Sequence, residues 1–167
     1  LVVVEAPTGG GKTEAALLLQ DRWCARWRQR GAYVALPTMA TSNQMFCRVR
    51  DFLSHRYAGL RTNLHLLHSH ALLSDAYQQL RPRGIGPFDE AHGAPNATVV
   101  ADEWFTRPKR GLLAPFAVGT VDQALLAVLQ TRHGFLRLFG LSGKTLIFDE
   151  VHAYDVYMLT LFEHLMR

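Results

Sequence analysis

The sequence predicts an α/β protein with a mostly parallel sheet in a single globular domain. Short apolar runs alternate with longer segments of helical periodicity, which is typical of strands joined by crossover helices. A glycine-rich turn at residues 9–11 separates the first apolar run from the first helical segment. The chain has 167 residues, 49% of them hydrophobic, which suffices for one core and is too short for two ordinary domains.

Strands and helices are predicted to alternate along most of the chain. Apolar runs predict strands at residues 2–4, 32–38, 63–67, 97–101, 114–118 and 144–148. Helical periodicity predicts helices at about 12–30, 42–54, 71–80 and 121–129, and a last helix from about residue 155. We expect Gly31 to cap the end of the first helix and Asp155 to cap the start of the last. Residues 81–96 hold three prolines and three glycines and predict a loop, and residues 130–143 predict a less regular connection.

Composition sets limits on the class of protein. Two isolated cysteines, Cys24 and Cys47, are too few for a disulfide framework or a zinc site and indicate a reducing cytoplasm. No apolar run approaches the roughly 20 residues of a membrane span, so we expect a cytoplasmic protein that does not enter a membrane. The formal charge of +4 agrees with a nucleic-acid partner, although many unrelated domains are equally basic.

The stretch "APTGGGKTEAAL" at residues 6–17 predicts a phosphate-binding loop. A glycine-rich turn between strand and helix points consecutive backbone N–H groups into one concavity that fits the phosphates of ATP. Lys12 can reach the β- and γ-phosphates, and the Thr13 hydroxyl can join the shell of a Mg²⁺ ion. The strict pattern is not met, because Ala6 stands where its first glycine would be. The predicted nucleotide-binding residues are Ala6, Pro7, Thr8, Gly9, Gly10, Gly11, Lys12, Thr13 and Glu14.

Two similar acidic boxes, "DEAH" at residues 89–92 and "DEVH" at 149–152, compete for the catalytic role. Ligands of open α/β sheets collect at the carboxyl ends of strands, so the functional pair must follow a strand. Asp149 follows the buried-strand pattern "TLIF", whereas Asp89 has loop residues on both sides. We therefore predict that Asp149 holds Mg²⁺ and that Glu150 polarises the attacking water. The box at 89–92 is interpreted as a charged surface loop.

Two strand-to-helix turns are candidates for nucleic-acid contacts. Pro37 and Thr38 follow the second predicted strand, and Gly119 and Thr120 follow a later one. Hydroxyls and helix N-termini in such turns can bind backbone phosphates without reading bases. An ordinary strand-to-helix turn is an equally good interpretation of either one.

Two further segments leave alternatives open. His65, His68 and His70 in "LHLLHSH" could suggest a metal cluster, but no carboxylate or cysteine lies nearby in sequence to complete it. A strand end that faces nucleic acid is favoured, with ordinary packing as the close alternative. "EWFTRPKRG" at residues 103–111 could stack bases and hold phosphates, or could anchor a strand edge with solvated Lys109 and Arg110.

With these motifs in this order, the sequence resembles the CRISPR-associated helicase-nuclease of type I systems, a superfamily two helicase, along its first RecA-like lobe. The resemblance covers nearly the whole chain. It is most specific in "GTVDQALL" at 119–126 and in "DEVHAYD" at 149–155, and the Ala-Pro-Thr-Gly form of the phosphate loop agrees with it.

The resemblance implies a RecA-like P-loop NTPase with a three-layer fold and a mostly parallel sheet, truncated at its C-terminal side. Residues 1–167 would be an incomplete helicase ATP-binding domain, without the nuclease domain, whose His-Asp dipeptide does not occur here, and without the second RecA-like domain. It further implies an ATP-driven motor that moves 3′ to 5′ along single-stranded DNA after an RNA-guided surveillance complex has opened the target. His152 would couple the acidic box to neighbouring motifs.

Because arginine fingers would come from the missing lobe, we expect the isolated chain to be nearly inactive. Apolar surface should be exposed where further strands would pack, so self-association is expected. The alternatives are a lobe of another superfamily two DNA or RNA helicase and a non-catalytic module that binds nucleotide.

Overall fold

The structure is a computed structural model that describes residues 1–7, 9–81, 99–107, 110–129, 131 and 134–166. Five strands and seven α-helices are found in these ranges. No helix in this part of the chain combines the length and apolar character needed to cross a membrane.

From residue 12 onward the predicted helices and strands occur in the predicted order, and two further helices lie at Glu103–Thr106 and Gly134–Leu141. The strands are β1 (Ala32–Leu36), β2 (Thr62–Leu67), β3 (Val99–Val100), β4 (Phe116–Thr120) and β5 (Thr145–Phe148). The helices are α1 (Lys12–Trp27), α2 (Met39–Arg56), α3 (Asp75–Gln78), α4 (Glu103–Thr106), α5 (Val121–Leu125), α6 (Gly134–Leu141) and α7 (Val156–Met166). Short 3₁₀ turns lie at Ala71–Leu73, Gly111–Leu113 and Val151–Ala153.

The sheet has the strand order β3-β2-β4-β1-β5, and every neighbouring pair is parallel. Leu36 of β1 pairs with Thr120 of β4, and Gly119 of β4 pairs with Leu67 of β2. The carboxyl ends of β2, β4 and β1 therefore lie side by side at one edge of the sheet. This confirms the predicted α/β class with a parallel sheet.

The core consists of two apolar layers, one on each face of the sheet. Successive residues of a strand point to opposite faces, and β1 accordingly contributes Val34 and Leu36 to one cluster and Tyr33 and Ala35 to the other. The first cluster packs against α1 and α2, with Phe46 fully buried, and the second against α5, α6 and α7. Helices thus cover both faces of the sheet, which is the three-layer arrangement.

The predicted strand at residues 2–4 is wrong. The segment forms no strand in the structure, and Val3 is 72% exposed. A strand needs a neighbour that satisfies its backbone N–H and C=O groups, and among the described strands β5 pairs with β1 alone. An apolar sequence by itself does not supply that neighbour.

The boundaries of several helices also differ from the prediction, most clearly for α1. Helix α1 ends at Trp27 and is capped by Arg28 at φ 52°, three residues before Gly31. Gly31 has a different role: a Cβ there would lie 1.9 Å from the Pro115 carbonyl oxygen, so it permits the close approach at the start of β1. Residues 134–141 form α6 where a less regular connection was predicted. The last helix begins as predicted, since the Asp155 carboxylate accepts a hydrogen bond from the Met158 N–H at 2.7 Å.

Candidate functional site

The glycine-rich loop adopts a conformation that depends on its glycines. Gly9 and Gly11 have φ values of 78° and 74°, in the left-handed region that side chains with a Cβ rarely adopt. The Gly10 N–H donates to the Pro7 carbonyl at 3.0 Å, and a Cβ on Gly10 would lie 2.9 Å from that oxygen. The loop then runs directly into α1, which begins at Lys12. Thr8, also predicted to bind nucleotide, lies outside the described residues.

Lys12 folds back onto its own loop. Its ammonium donates to the Ala6 carbonyl at 2.7 Å and to the Pro7 carbonyl at 3.1 Å. Both acceptors are neutral, so a charged phosphate oxygen would be a stronger partner for the same group. The side chain is thereby held within the loop that was predicted to cradle the phosphates.

The acidic box follows β5, as predicted. The Asp149 N–H donates to the Ala35 carbonyl at 3.1 Å, which continues the β1–β5 pairing one residue beyond the strand. Asp149 Oδ1 accepts from the Glu150 N–H at 2.9 Å. Glu150 is exposed and has φ 53°, a rare conformation for a residue other than glycine. Backbone strain of this kind is concentrated at functional sites.

One groove brings the two motifs together. Lys12 and Thr13 from the phosphate loop line it beside Phe148 and Asp149, and Val4 lines the same groove. The Thr13 hydroxyl and the Asp149 carboxylate are hard oxygen donors, which suit Mg²⁺. No group of three His, Cys, Asp or Glu residues that could hold a metal ion by itself is found among the described residues. A Mg²⁺ ion here would depend on water and phosphate oxygens, which is the usual way in which Mg²⁺ is bound.

His152 and Tyr154 continue the acidic box through the 3₁₀ turn Val151–Ala153. His152 is exposed, whereas Tyr154 is buried and packs on Phe162 of α7. The Tyr154 hydroxyl has no hydrogen-bond partner among the described residues. Burial, together with the charge of Asp149, raises the pKa of Tyr154. Tyr154 lies within the segment "DEVHAYD", whose sequence does not indicate that this side chain is buried against α7.

Glu14 forms an ion pair that the sequence did not predict. Its carboxylate accepts from the Arg48 guanidinium of α2, and this hydrogen bond lowers the pKa of Glu14. Both side chains are largely exposed. Glu14 therefore links α1 to α2, and its predicted nucleotide contact stays a prediction.

The turn at Pro37 and Thr38 opens α2 with a capping box. The Thr38 hydroxyl accepts from the Thr41 N–H at 3.2 Å, and the Thr41 hydroxyl accepts from the Thr38 N–H at 3.4 Å. The backbone N–H groups of Met39 and Ala40 have no acceptor among the described residues, and both residues are exposed. The N–H groups of Met39 and Ala40, rather than the Thr38 hydroxyl, are therefore available to an anion.

Gly119 and Thr120 lie at the carboxyl end of β4, between the ends of β2 and β1. Both are buried, with Thr120 only 7% exposed. The Thr120 carbonyl accepts from the Tyr33 hydroxyl at 2.8 Å. A Cβ on Gly119 would lie 2.3 Å from the Leu67 carbonyl oxygen. The pair has a packing role in the sheet, and its predicted nucleic-acid contact stays a prediction.

The three histidines separate into two groups. His65 is fully buried between Tyr77 and Phe105 and accepts or donates a 2.9 Å hydrogen bond with the Tyr77 hydroxyl. Burial lowers the pKa of His65 to about 4. His68 and His70 lie beyond the end of β2, at the same edge as Thr38. Packing accounts for His65, and the strand-end interpretation remains for the other two.

The aromatic and basic segment at 103–111 forms a small stack. The Arg110 guanidinium lies 4.8 Å from the centroid of the Trp104 ring, and Trp104 packs edge-on against Phe105. Trp104 is half exposed, while Phe105 contacts the buried His65. This arrangement fits the strand-edge anchor. Lys109 and the acidic box at 89–92 lie outside the described residues.

Comparisons with known proteins identify close relatives along the whole chain. No family model matches. The CRISPR-associated endonuclease/helicase Cas3 of Thermus thermophilus is 48% identical over 171 residues, which cover 100% of this chain and 18% of that protein. Cas3 of Escherichia coli is 36% identical over 168 residues, again covering 100% of this chain and 18% of its own length. The chain thus spans less than a fifth of the length of these two relatives.

Solved structures agree with the sequence relatives. The crystal structure of T. fusca Cas3 with ADP superimposes with a TM-score of 0.80 at 44% identity, covering 98% of this chain and 17% of that one. Its counterpart with AMPPNP gives a TM-score of 0.80 at 45% identity, with the same coverage. A chain from a CRISPR RNA-guided surveillance complex in a pre-nicking state gives 0.61 at 36% identity, covering 98% of this chain and 13% of that one.

Proposed function

The chain is a homologue of the Cas3 helicase-nucleases and matches their first RecA-like lobe, and on this premise we propose that it is the ATP-binding lobe of a motor that moves along single-stranded DNA. Solved structures of a relative carry ADP, ATP and AMPPNP, which supports ATP as the nucleotide. The intact protein would unwind and degrade target DNA in type I CRISPR antiviral defence.

One observation carries the proposal: the phosphate loop and the acidic box line the same groove, through Lys12 and Thr13 on one side and Asp149 on the other. Phosphoryl transfer requires little covalent chemistry from the protein, so its rate depends on positioned charge. A lysine, a hydroxyl and a carboxylate around one groove supply the charge and the oxygen ligands that ATP with Mg²⁺ needs.

Each residue has a separate role in the proposed reaction. The Lys12 ammonium leaves the Ala6 and Pro7 carbonyls and donates to the β- and γ-phosphates. Thr13 and Asp149 would hold Mg²⁺, which would supply positive charge beside the phosphates. Glu150 accepts a proton from the attacking water as a general base. Non-catalytic binding of nucleotide is the alternative, and hydrolysis distinguishes the two.

Replacing Lys12 tests nucleotide binding. We expect Lys12→Ala to weaken the binding of a fluorescent ATP analogue by roughly ten- to a hundredfold, since charge-assisted hydrogen bonds to phosphate are lost. Arg26→Ala removes the same charge from the exposed far end of α1 and is the matched control. Chelation of Mg²⁺ should weaken binding by the wild-type protein as well. Equal affinities of the two variants would contradict the site.

Replacing Glu150 tests hydrolysis separately from binding. Glu150→Gln should retain nucleotide affinity and lose most phosphate release in the intact polypeptide that contains this chain, because the general base is removed. Glu163→Gln, at an exposed position of α7, is the control. Unchanged hydrolysis in Glu150→Gln would favour the non-catalytic alternative. The 167-residue chain alone should bind nucleotide weakly and turn over little, since an arginine finger is worth about a thousandfold or more in rate.

The N-terminus of α2 is the proposed contact for the DNA backbone. Its two N–H groups without acceptors and the helix dipole favour a phosphate directly after Thr38. Ala40→Glu adds a negative charge there, which stabilises the helix and repels a phosphate. We expect about three- to tenfold weaker binding of single-stranded DNA to the intact polypeptide, with the difference shrinking as salt rises.

The control for this change is Ala58→Glu, which adds the same charge at an exposed position beyond the other end of α2. Affinity that falls equally in both variants would indicate a general charge effect and contradict the α2 contact. Parallel titrations with RNA distinguish the proposed DNA motor from another superfamily two helicase. Preference for RNA would support that alternative.

Action with a surveillance complex is proposed from the match to a chain in such a complex. We expect the intact polypeptide to bind an RNA-guided complex on its opened DNA target and to bind the same complex without DNA at least tenfold more weakly. Gel-shift titrations measure both. Equal binding to the two forms would contradict this step.

A further inference from the structure

Residues 68–70, the histidine loop, lie against the start of α2 and have no role in the nucleotide site. The His70 backbone N–H donates to His68 Nδ1 at 3.2 Å, and His68 Nε2 lies 3.0 Å from the Asn43 Oδ1 of α2. Because Nδ1 accepts a hydrogen bond, the proton of the neutral imidazole is assigned to Nε2, which donates to Asn43. His68 thus fastens the loop to α2.

Charge on His68 would break this arrangement. A proton on Nδ1 would face the His70 N–H, so the hydrogen bond between them would be lost. Burial lowers the pKa of His68, as does the neighbouring His70. His68 is therefore a neutral positioning residue. Its contact with Asn43 fixes where the next two residues lie relative to the helix start.

His70 and Ser69 contact the first residue of α2. The Ser69 hydroxyl donates to the Met39 sulfur at 3.3 Å, and His70 Nδ1 lies 3.4 Å from that sulfur and 3.0 Å from Ser69 Oγ. Met39 is 40% exposed, and His70 is exposed as well. An imidazole ring and a thioether are thus paired on the surface, one residue beyond Thr38.

We propose that Met39 and His70 form a stacking platform for a base of the bound single strand. The idea rests on the proposed phosphate contact at α2, since the base would belong to a nucleotide beside that phosphate. Aromatic rings stack on bases without regard to sequence, and sulfur makes favourable contacts with aromatic rings. Stacking of this kind suits a motor, because a motor must bind each DNA sequence along which it moves.

An abasic oligonucleotide separates stacking from phosphate binding. Binding of a fluorescent oligothymidine and of an abasic strand of equal length to the intact polypeptide is measured by anisotropy. Met39→Ala with His70→Ala should weaken oligothymidine binding by roughly tenfold and leave abasic binding within about twofold, because the lost contact is to the base. Met39→Leu with His70→Phe should restore most of the affinity, since an apolar side chain and a ring are kept.

A second double substitution is the matched control for the platform variant. Leu60→Ala with His55→Ala removes an exposed apolar residue and an exposed histidine at the opposite end of α2 from the platform and should change neither affinity. Equal losses on both strands, or no loss on oligothymidine, would overturn the platform. If the wild-type protein binds neither strand, the proposed DNA function itself fails. If Ala40→Glu weakens both strands while the platform variant weakens neither, the phosphate contact stands and the platform alone is wrong.

Discussion

The strands in the middle of the sheet and the strand at its β5 edge differ in how completely they are paired. Strands β2, β4 and β1 each have a parallel neighbour on both edges, and every residue of β1 and β4 is buried. At the other side, β5 pairs with β1 alone among the described strands and buries only Thr145 fully, while the segment at 2–4 is exposed. We call these the closed side and the open side.

The proposed chemistry lies at the open side. The phosphate loop follows the exposed segment, and Asp149 follows β5, so both motifs are attached to the less buried part of the sheet. Elements that bind ligands and move are commonly drawn from regions of low local stability. The closed side supplies the rigid frame, and the difference predicts that substitutions on the two sides affect different quantities.

Truncating one apolar side chain on each side gives the largest expected difference in stability. Phe46 is fully buried on the closed side, so Phe46→Ala should lower the free energy of unfolding by about 3 to 5 kcal/mol. Val3→Ala should change it by less than about 0.5 kcal/mol, because the side chain is mostly exposed. Urea denaturation measures both, and similar losses would show that the open side is as tightly packed as the closed one.

Glycine substitutions separate lack of space from backbone strain. Gly119→Ala puts a Cβ 2.3 Å from the Leu67 carbonyl oxygen, so strands β2 and β4 must move apart, at a cost of about 3 kcal/mol. Gly9→Ala meets no atom within 4 Å and bears only its positive φ, at about 1 to 2 kcal/mol. Urea denaturation measures the loss of unfolding free energy in both variants. In addition, Gly9→Ala should weaken nucleotide binding, and a larger stability loss in Gly9→Ala than in Gly119→Ala would contradict the comparison.

The same contrast explains which elements could be predicted from sequence. The run "AYVAL" and the run "VVV" at residues 2–4 are equally apolar, yet only the first has strands on both sides. Pairing is a property of distant residues, which local composition does not contain. Helix α6 was missed because Gly134 and Gly140 suggest breaks. Gly140 instead allows close packing, since a Cβ there would lie 2.7 Å from the Leu112 carbonyl oxygen.

In the functional site, too, local motifs could be predicted from sequence, whereas contacts between distant residues could not. The motifs for Lys12, Thr13 and Asp149 were predictable because glycine turns and strand ends have local signatures. The left-handed conformation of Glu150 and the pairing of Glu14 with Arg48 were not, because neither residue type specifies such a geometry or partner. The base-stacking pair was missed for a similar reason, as Met39 and His70 are 31 residues apart in sequence.

A pH titration gives the smallest and most specific test of the closed side. Burial holds the pKa of His65 near 4, with a further lowering by Lys144, against a raising effect of Asp102. In the unfolded state the imidazole has a pKa near 6.5, so between pH 6.5 and pH 4 the unfolded state binds a proton that the folded state does not bind. This stability is therefore complete above pH 6.5 and is lost as pH falls toward 4. Between pH 7 and pH 5 we expect a loss of about 2 kcal/mol.

The His65→Gln variant tests whether His65 causes this loss of unfolding free energy. Glutamine retains a group that can bond to the Tyr77 hydroxyl and does not titrate, so its unfolding free energy should fall less between pH 7 and pH 5 than that of the wild type. His152→Gln, at an exposed position of the acidic box, should keep the wild-type dependence. Identical pH profiles for wild type and His65→Gln would mean that His65 has the same pKa in the folded and unfolded states, so that it binds a proton while the sheet stays folded. The closed side would then be open at β2, and the contrast between the two sides would be smaller than the burial of its strands indicates.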